Sequence, residues 1–130
     1  MIELPGNDRI FSLLTLYLDA QSKRAQVVAT NVANADTPGY TAKELDFAEY
    51  LKQAAYETVS PRMAGGPGRL RTDSFSVVEQ PGNPAGIDGN TVDVGREMAT
   101  IADAGMKYLT GIQLLQSRMR TLRTAIREGR

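Results

Sequence analysis

Apolar residues recur at alternating steps of three and four at both ends of this 130-residue chain, and the stretch between them is broken by Gly and Pro. From Phe11 the positions Leu14, Leu18, Gln21, Ala25, Val28, Val32 and Ala35 follow in this way. From Val94 so do Met98, Ile101, Gly105, Tyr108, Ile112, Leu115, Met119, Leu122 and Ile126, without one charged residue. Such spacing over several heptads predicts helices that each seat one stripe against another helix. A chain whose two strongest stripes lie at its termini reads as an assembly component rather than an enzyme.

The first helix is predicted to open near Asn7-Asp8, where either side chain caps backbone N–H groups and an acid meets the positive end of the dipole. It runs to about Asn34, a rod roughly 40 Å long. It stops at Asp36-Thr37-Pro38-Gly39, because Pro38 drives Thr37 out of the helical region and Pro-Gly suits the two central positions of a type II turn. Asp46-Phe47-Ala48-Glu49 reads as a capping box for a short helix over 46–58, with Phe47, Tyr50, Leu51 and Ala54 on one apolar face. Ser60-Pro61 ends it. Residues 61–90 contain six Gly and four Pro. That composition buries too little apolar surface to offset its ordering entropy, so a loop that is flexible or folds on contact is expected. Inside it Ser74-Phe75-Ser76-Val77-Val78 is a candidate strand.

Asp93, or Thr91, is expected to cap the last helix, which continues to about Arg127 over about 50 Å. Gly105 and Gly111 inside it each cost about 1 kcal/mol relative to Ala, which predicts close approach by a neighbouring helix. Ala99, Ala102, Met106 and Leu109 widen the apolar face beyond a narrow seam and call for more than one neighbour. The expected organisation is one structural domain. Residues 1–40 supply the first helix and its turn, 41–91 the short helix and Gly/Pro loop, and 92–130 the last helix.

Charge balances at 15 basic and 15 acidic residues, but unevenly. Residues 1–60 carry five Lys/Arg against eight Asp/Glu, and residues 92–130 carry seven against four, giving −3 and +3. Opposite terminal charges favour pairing with each other or with neighbouring copies. With no Cys and no His, disulfides, thiolate metal sites and the commonest acid–base side chain are excluded. The N-terminus lacks a basic segment, and Ser12 and Thr15 interrupt the apolar run Ile10–Leu18, so no cleavable secretory signal is read there. No run approaches the roughly 20 apolar residues that span a bilayer.

Candidate chemistry adds little. Arg118, Arg120, Arg123, Arg127 and Arg130 do not share one face and have no interleaved aromatics, so they read as solvated cations near a helix C-terminus rather than a nucleic-acid patch. Asp88-Gly89-Asn90 lacks the alternating ligands of a calcium loop, and Gly65-Gly66-Pro67-Gly68 lacks the Lys-Ser/Thr of a phosphate cradle. Glu44, Asp46 and Glu49 are close in sequence, but capping accounts for two of them. No catalytic residue, cofactor site or metal site is assigned.

The segment Asn31-Val32-Ala33-Asn34-Ala35-Asp36-Thr37-Pro38-Gly39-Tyr40 is more specific than a helix end requires. Together with Leu45-Asp46-Phe47 it resembles the N-terminal signature of bacterial flagellar axial proteins, the rod and hook family. Gly89-Asn90-Thr91-Val92-Asp93-Val94, Arg96-Glu97-Met98 and Leu122-Arg123-Thr124-Ala125-Ile126 are similar to that family's C-terminal region. The resemblance marks Asn31, Asn34, Asp36, Thr37, Pro38, Gly39 and Tyr40 as signature residues. It implies a mainly α fold whose long terminal helices pack as a coiled-coil-like inner domain, with a short middle helix and an irregular loop holding a short β segment.

The same resemblance implies a structural, non-enzymatic subunit of the proximal flagellar rod. Such a subunit polymerises through the two apolar stripes into a torque-transmitting shaft and export channel. Implied partners are further copies, FlgC and related rod proteins, FliE, the MS-ring protein FliF and the flagellar type III export apparatus. No nucleic acid and no membrane span are implied. The implied location is the periplasmic basal body, reached without a cleaved signal, and Ile10-Phe11-Ser12-Leu13-Leu14 resembles the short element that engages the export gate. The alternatives are another rod or type III needle-type axial protein, or a helical adaptor binding nucleic acid through its Arg cluster.

Overall fold

A computed structural model describes residues 7–50, 52, 76–80 and 82–128. Helix α1 spans Asn7–Ala33, strand β1 Lys43–Leu45, strand β2 Val77–Glu79 and helix α2 Val94–Glu128. The helices lie antiparallel. Leu18 meets Gly111, Arg24 meets Asp103 and Asn31 meets Glu97, so one helix ascends as the other descends.

The helix boundaries follow from local chemistry. At the end of α1 the Asn34 N–H donates to both Thr30 O and Asn31 O, and Ala35 N–H donates to Val32 O, which tightens the last turn. Tyr40 N–H then donates to Thr37 O at 3.2 Å across Pro38-Gly39, with Gly39 at φ 70°. That is the type II turn expected from Pro-Gly. Asp93 caps α2: its Oδ1 accepts from Arg96 N–H at 3.1 Å. The other candidate cap, Thr91, turns elsewhere and accepts from Ala42 N–H through its hydroxyl at 2.8 Å.

Strands β1 and β2 pair antiparallel in the register Lys43↔Glu79, Glu44↔Val78 and Leu45↔Val77. Asp46 N–H to Ser76 O and Gln80 N–H to Ala42 O extend the ladder at either end. Residues 47–50 are helical, and Asp46 Oδ1 caps them by accepting from Glu49 N–H at 3.0 Å. Most of the helix expected over 46–58 lies outside the described residues, as do 61–75 of the Gly/Pro loop. The described part of that loop is ordered by contact with its own chain. Its strand, Val77–Glu79, shares Val77 and Val78 with the candidate Ser74–Val78 and ends one residue later.

Two small apolar cores result. One is Leu16, Ala20, Leu45 and Tyr50, with Phe47 packed against it and set edge-on to Tyr17 at 6.3 Å between ring centres. The other is the interhelical seam, where Val28 and Ala104 are buried and Leu18 sits over Gly111. On α2 the buried positions are Glu97, Ala104 and Gly111. This line is displaced by one residue from the apolar series read from periodicity, whose Met98, Gly105, Tyr108, Met119 and Ile126 are exposed. The physical reason is size. Small residues at 104 and 111 let α1 approach one edge of a wide apolar arc and leave the rest of it uncovered.

Candidate functional site: a polar clasp beside uncovered helix faces

The turn after α1 and the residues leading into α2 close on each other through side-chain amides. Asn31, fully buried, uses all of its hydrogen-bonding capacity. Its Nδ2 donates to Lys43 O at 2.7 Å and to Glu97 Oε2 at 3.0 Å. Its Oδ1 accepts from Lys43 N–H at 2.9 Å and from the Tyr40 hydroxyl at 3.2 Å. The amide therefore stands where a neighbouring strand would, pairing both backbone groups of Lys43 while tying α1 to α2.

Asn90 does the complementary work at the helix end. Its Nδ2 lies within 2.9 Å of the carbonyls of Asn34, Ala35 and Thr37, gathering the acceptors at the stopped end of the helix. Its Oδ1 accepts from Val92 N–H, holding the entry to α2. Around it Gly39 N–H donates to Asp88 O and Thr91 N–H to Tyr40 O. Gly89, at φ 78°, comes so close to Gly39 that an added Cβ would meet the Gly39 Cα at 3.5 Å. Asn83 closes the outer side, donating to Gln80 Oε1 and Thr91 O and accepting from Arg96 at 2.7 Å.

Charge plays a secondary part. Arg24 on α1 bridges Glu44 at 2.6 Å and Asp103 on α2 at 3.6 Å, and these partly exposed pairs contribute modestly. Two buried oxygens, Glu97 Oε1 and Gln21 Oε1, find no hydrogen-bond partner among the described residues. Among the same residues no group of acidic side chains is placed to hold a metal ion, and no helix is long and apolar enough to cross a membrane.

Of the signature residues, Asn31, Asn34, Thr37, Gly39 and Tyr40 enter this network. Asn34 donates to Thr30 O and accepts from the Thr37 hydroxyl. Asp36 and Pro38 lie on the exposed side of the turn. The stripe residues divide. On α1, Val28 is buried, Leu14, Leu18, Ala25 and Val32 are half-buried and Phe11 is exposed. On α2, Ile101, Ile112, Leu115 and Leu122 are half-buried and the rest are exposed. Sequence reasoning missed Asn83, Asn90, Thr91 and Glu97 as structural partners. The available signal was that the 31–40 string is more specific than a helix end requires and that residues 89–94 and 96–98 carry the same family resemblance.

An antiparallel pair of long terminal helices, with a polar clasp at one end and apolar surface left open, defines a helical assembly subunit. The family described as flagella basal body rod protein matches the chain over residues 18–41, from the middle of α1 through the clasp turn. The flagellar basal body rod protein FlgB of Salmonella typhimurium is 33% identical over 94% of this chain and 98% of its own length. The proteins of the same name from Aeromonas hydrophila and Escherichia coli are 30% and 32% identical over 92% and 86% of this chain, and 94% and 88% of their own. The chain belongs to the FlgB family of flagellar basal body rod proteins.

Proposed function

We propose that the chain is a structural subunit of the flagellar rod, built into the basal body through the uncovered faces of α1 and α2. One observation carries the reading: relatives named as FlgB rod proteins align with nearly the whole chain, both helices and the clasp included. The exposed apolar residues of α2 support it, since a free-standing domain has little reason to leave Met98, Met106, Leu109 and Ile126 in water. The clasp fixes the angle at which the chain leaves α1, and the two stripes then meet neighbouring subunits. Finer elements of the proposal are a proximal position in the rod, contacts with FlgC, FliE and FliF, and delivery to the periplasm by the type III apparatus without a cleaved signal.

The test is a charge placed in the α2 stripe beyond the clasp. Leu115 is half-buried near the N-terminal end of α1. Leu115→Asp is expected to leave export intact and to abolish rod assembly, scored as secreted subunit in cells that do not swim. Normal rods containing the substituted chain would overturn the assembly role of the stripe.

A further inference from the structure

The last third of α2 holds charge that nothing in the described chain answers. Between Asp103 and Glu128 the sequence has no acidic residue, yet it carries Lys107, Arg118, Arg120, Arg123 and Arg127. Among the described residues none of the four arginines enters an ion pair, whereas Lys107 is paired with Asp103 at 2.7 Å. At about 100° per residue, Arg120, Arg123 and Arg127 fall within an arc of about 60°, so these three do share a face. The stripe of Leu115, Met119, Leu122 and Ile126 occupies the adjoining arc, and Arg118 stands on its other flank. Two open clefts of about 350 and 370 Å³ mark where ridge and stripe meet. Both are lined by Arg120 and Arg123, one with Met119 and the other with Ile126. Met119 is 46% exposed and Ile126 72%. Helix α1 adds to the same end: Leu18 opposite Gly111 sets its start beside about residues 115–119, and Ile10, Phe11 and Leu13 are exposed there.

We infer that this end of the free subunit is a peripheral membrane-binding surface. Arg120, Arg123 and Arg127 meet the anionic headgroups of a bilayer, while Met119 and Ile126 enter the boundary between headgroups and acyl chains. Chemistry selects the occupant. A narrow apolar stripe edged by arginines, in a helical stretch without acids, is the composition of a helix that lies in a bilayer interface. Each arginine stem packs along the apolar side chains while its guanidinium reaches outward and grips a phosphate through two N–H groups. A nucleic acid would take up the arginines but leave Met119 and Ile126 in water, and no aromatic residue follows Tyr108 in the helix to stack on a base. A bilayer accepts ridge and stripe together and requires no matched shape. Among the described residues no helix is long and apolar enough to cross a membrane, so the contact stays at the surface.

The inference goes beyond the rod-subunit reading and does not depend on it. In the proposed rod the stripe is covered by neighbours, so membrane contact and assembly exclude each other, and binding belongs to the subunit before it is built in. Such attachment is reversible. Screened charge holds the chain near the surface, and two exposed apolar side chains are too few to anchor it there.

The test mixes the purified full chain with vesicles and sediments them. Vesicles of phosphatidylcholine with a share of phosphatidylglycerol are expected to carry the chain into the pellet, and added salt to weaken the binding. Vesicles of phosphatidylcholine alone should leave it in solution. Arg120→Gln, Arg123→Gln and Arg127→Gln combined should lower the affinity on the order of a hundredfold. Ile126→Ser should lower it severalfold at unchanged charge. All four side chains are exposed, so the thermal midpoint should stay where it is in both variants. No binding to the phosphatidylglycerol vesicles, equal binding to both kinds of vesicle, or full binding by the triple variant overturns the inference. Unchanged binding by Ile126→Ser overturns the insertion of the stripe. A triple variant that fails to assemble in cells, when the unaltered chain ignores vesicles, assigns the ridge to an acidic protein partner and overturns the membrane reading. Vesicle binding is read on the free chain and leaves the rod reading untouched; absence of the unaltered chain from basal bodies would defeat that reading alone.

Discussion

Asn31 commits two hydrogens and two lone pairs to the Lys43 backbone, Tyr40 and Glu97, and no other common side chain offers that combination at the same length. Asn31→Leu leaves the Lys43 N–H and C=O and the Glu97 carboxylate without their partner in a buried place. At roughly 1–3 kcal/mol for each orphaned group, a loss of about 3 kcal/mol or more is expected. Asn31→Asp should be similarly damaging, since it removes both donors and sets a carboxylate against Glu97. Glu97→Gln is expected to go the other way: it keeps an acceptor for Asn31 while removing a buried charge, so stability should hold or rise. Urea midpoints of the three variants at constant m-value decide this series. A Glu97→Gln chain less stable than Asn31→Leu would show that the carboxylate itself anchors the clasp.

Between elements, the two glycines of α2 separate helix propensity from packing. Gly105→Ala relieves a flexible position in open space, so the free subunit should gain about 1 kcal/mol. Gly111→Ala has the same propensity gain but must displace Leu18 Cδ2 from 2.8 Å, and its net effect should be smaller or of opposite sign. Thermal unfolding of the two variants side by side measures the difference. Equal gains would mean that Leu18 moves at no cost and that the notch does not set the interhelical distance. The same comparison shows why periodicity placed the α2 seam one residue away from the buried line. Alternating apolar spacing records which side chains avoid water, whereas close approach is set by which ones are small.

At the scale of the whole molecule, the clasp joins segments that composition would have kept apart. Residues 61–90 read as a loop too poor in apolar surface to order itself, and its described part is ordered by hydrogen bonds that its own amides make to the rest of the chain. Asn90 grips the end of α1, Asn83 bridges Gln80 to Arg96, and β2 pairs with β1. In the free subunit, the amides of Gly39, Tyr40, Lys43, Gln80 and Thr91, all of which donate hydrogen bonds here, should exchange slowly and as one unit. Asn90→Ala should speed exchange across all five while leaving the centre of α2 protected. Acceleration confined to Thr91 would mean that the clasp is a set of independent contacts.

The two long helices, the Pro38-Gly39 turn and the Asp46 and Asp93 caps were legible in the chain, because each is a local matter of spacing, φ preference and nearby backbone donors. The signature string announced itself as special without saying why. Its partners lie about sixty residues on, and a hydrogen bond between distant amides leaves no period in a sequence. Tertiary structure alone decided that Asn31 serves as a strand partner, that Asn90 closes the end of α1, and that Gly111 is filled while Gly105 is open. Apolar pattern is imposed by water, which acts on each residue separately. Which apolar edge is covered, and by what, depends on the shapes of two surfaces that meet only after the chain has folded.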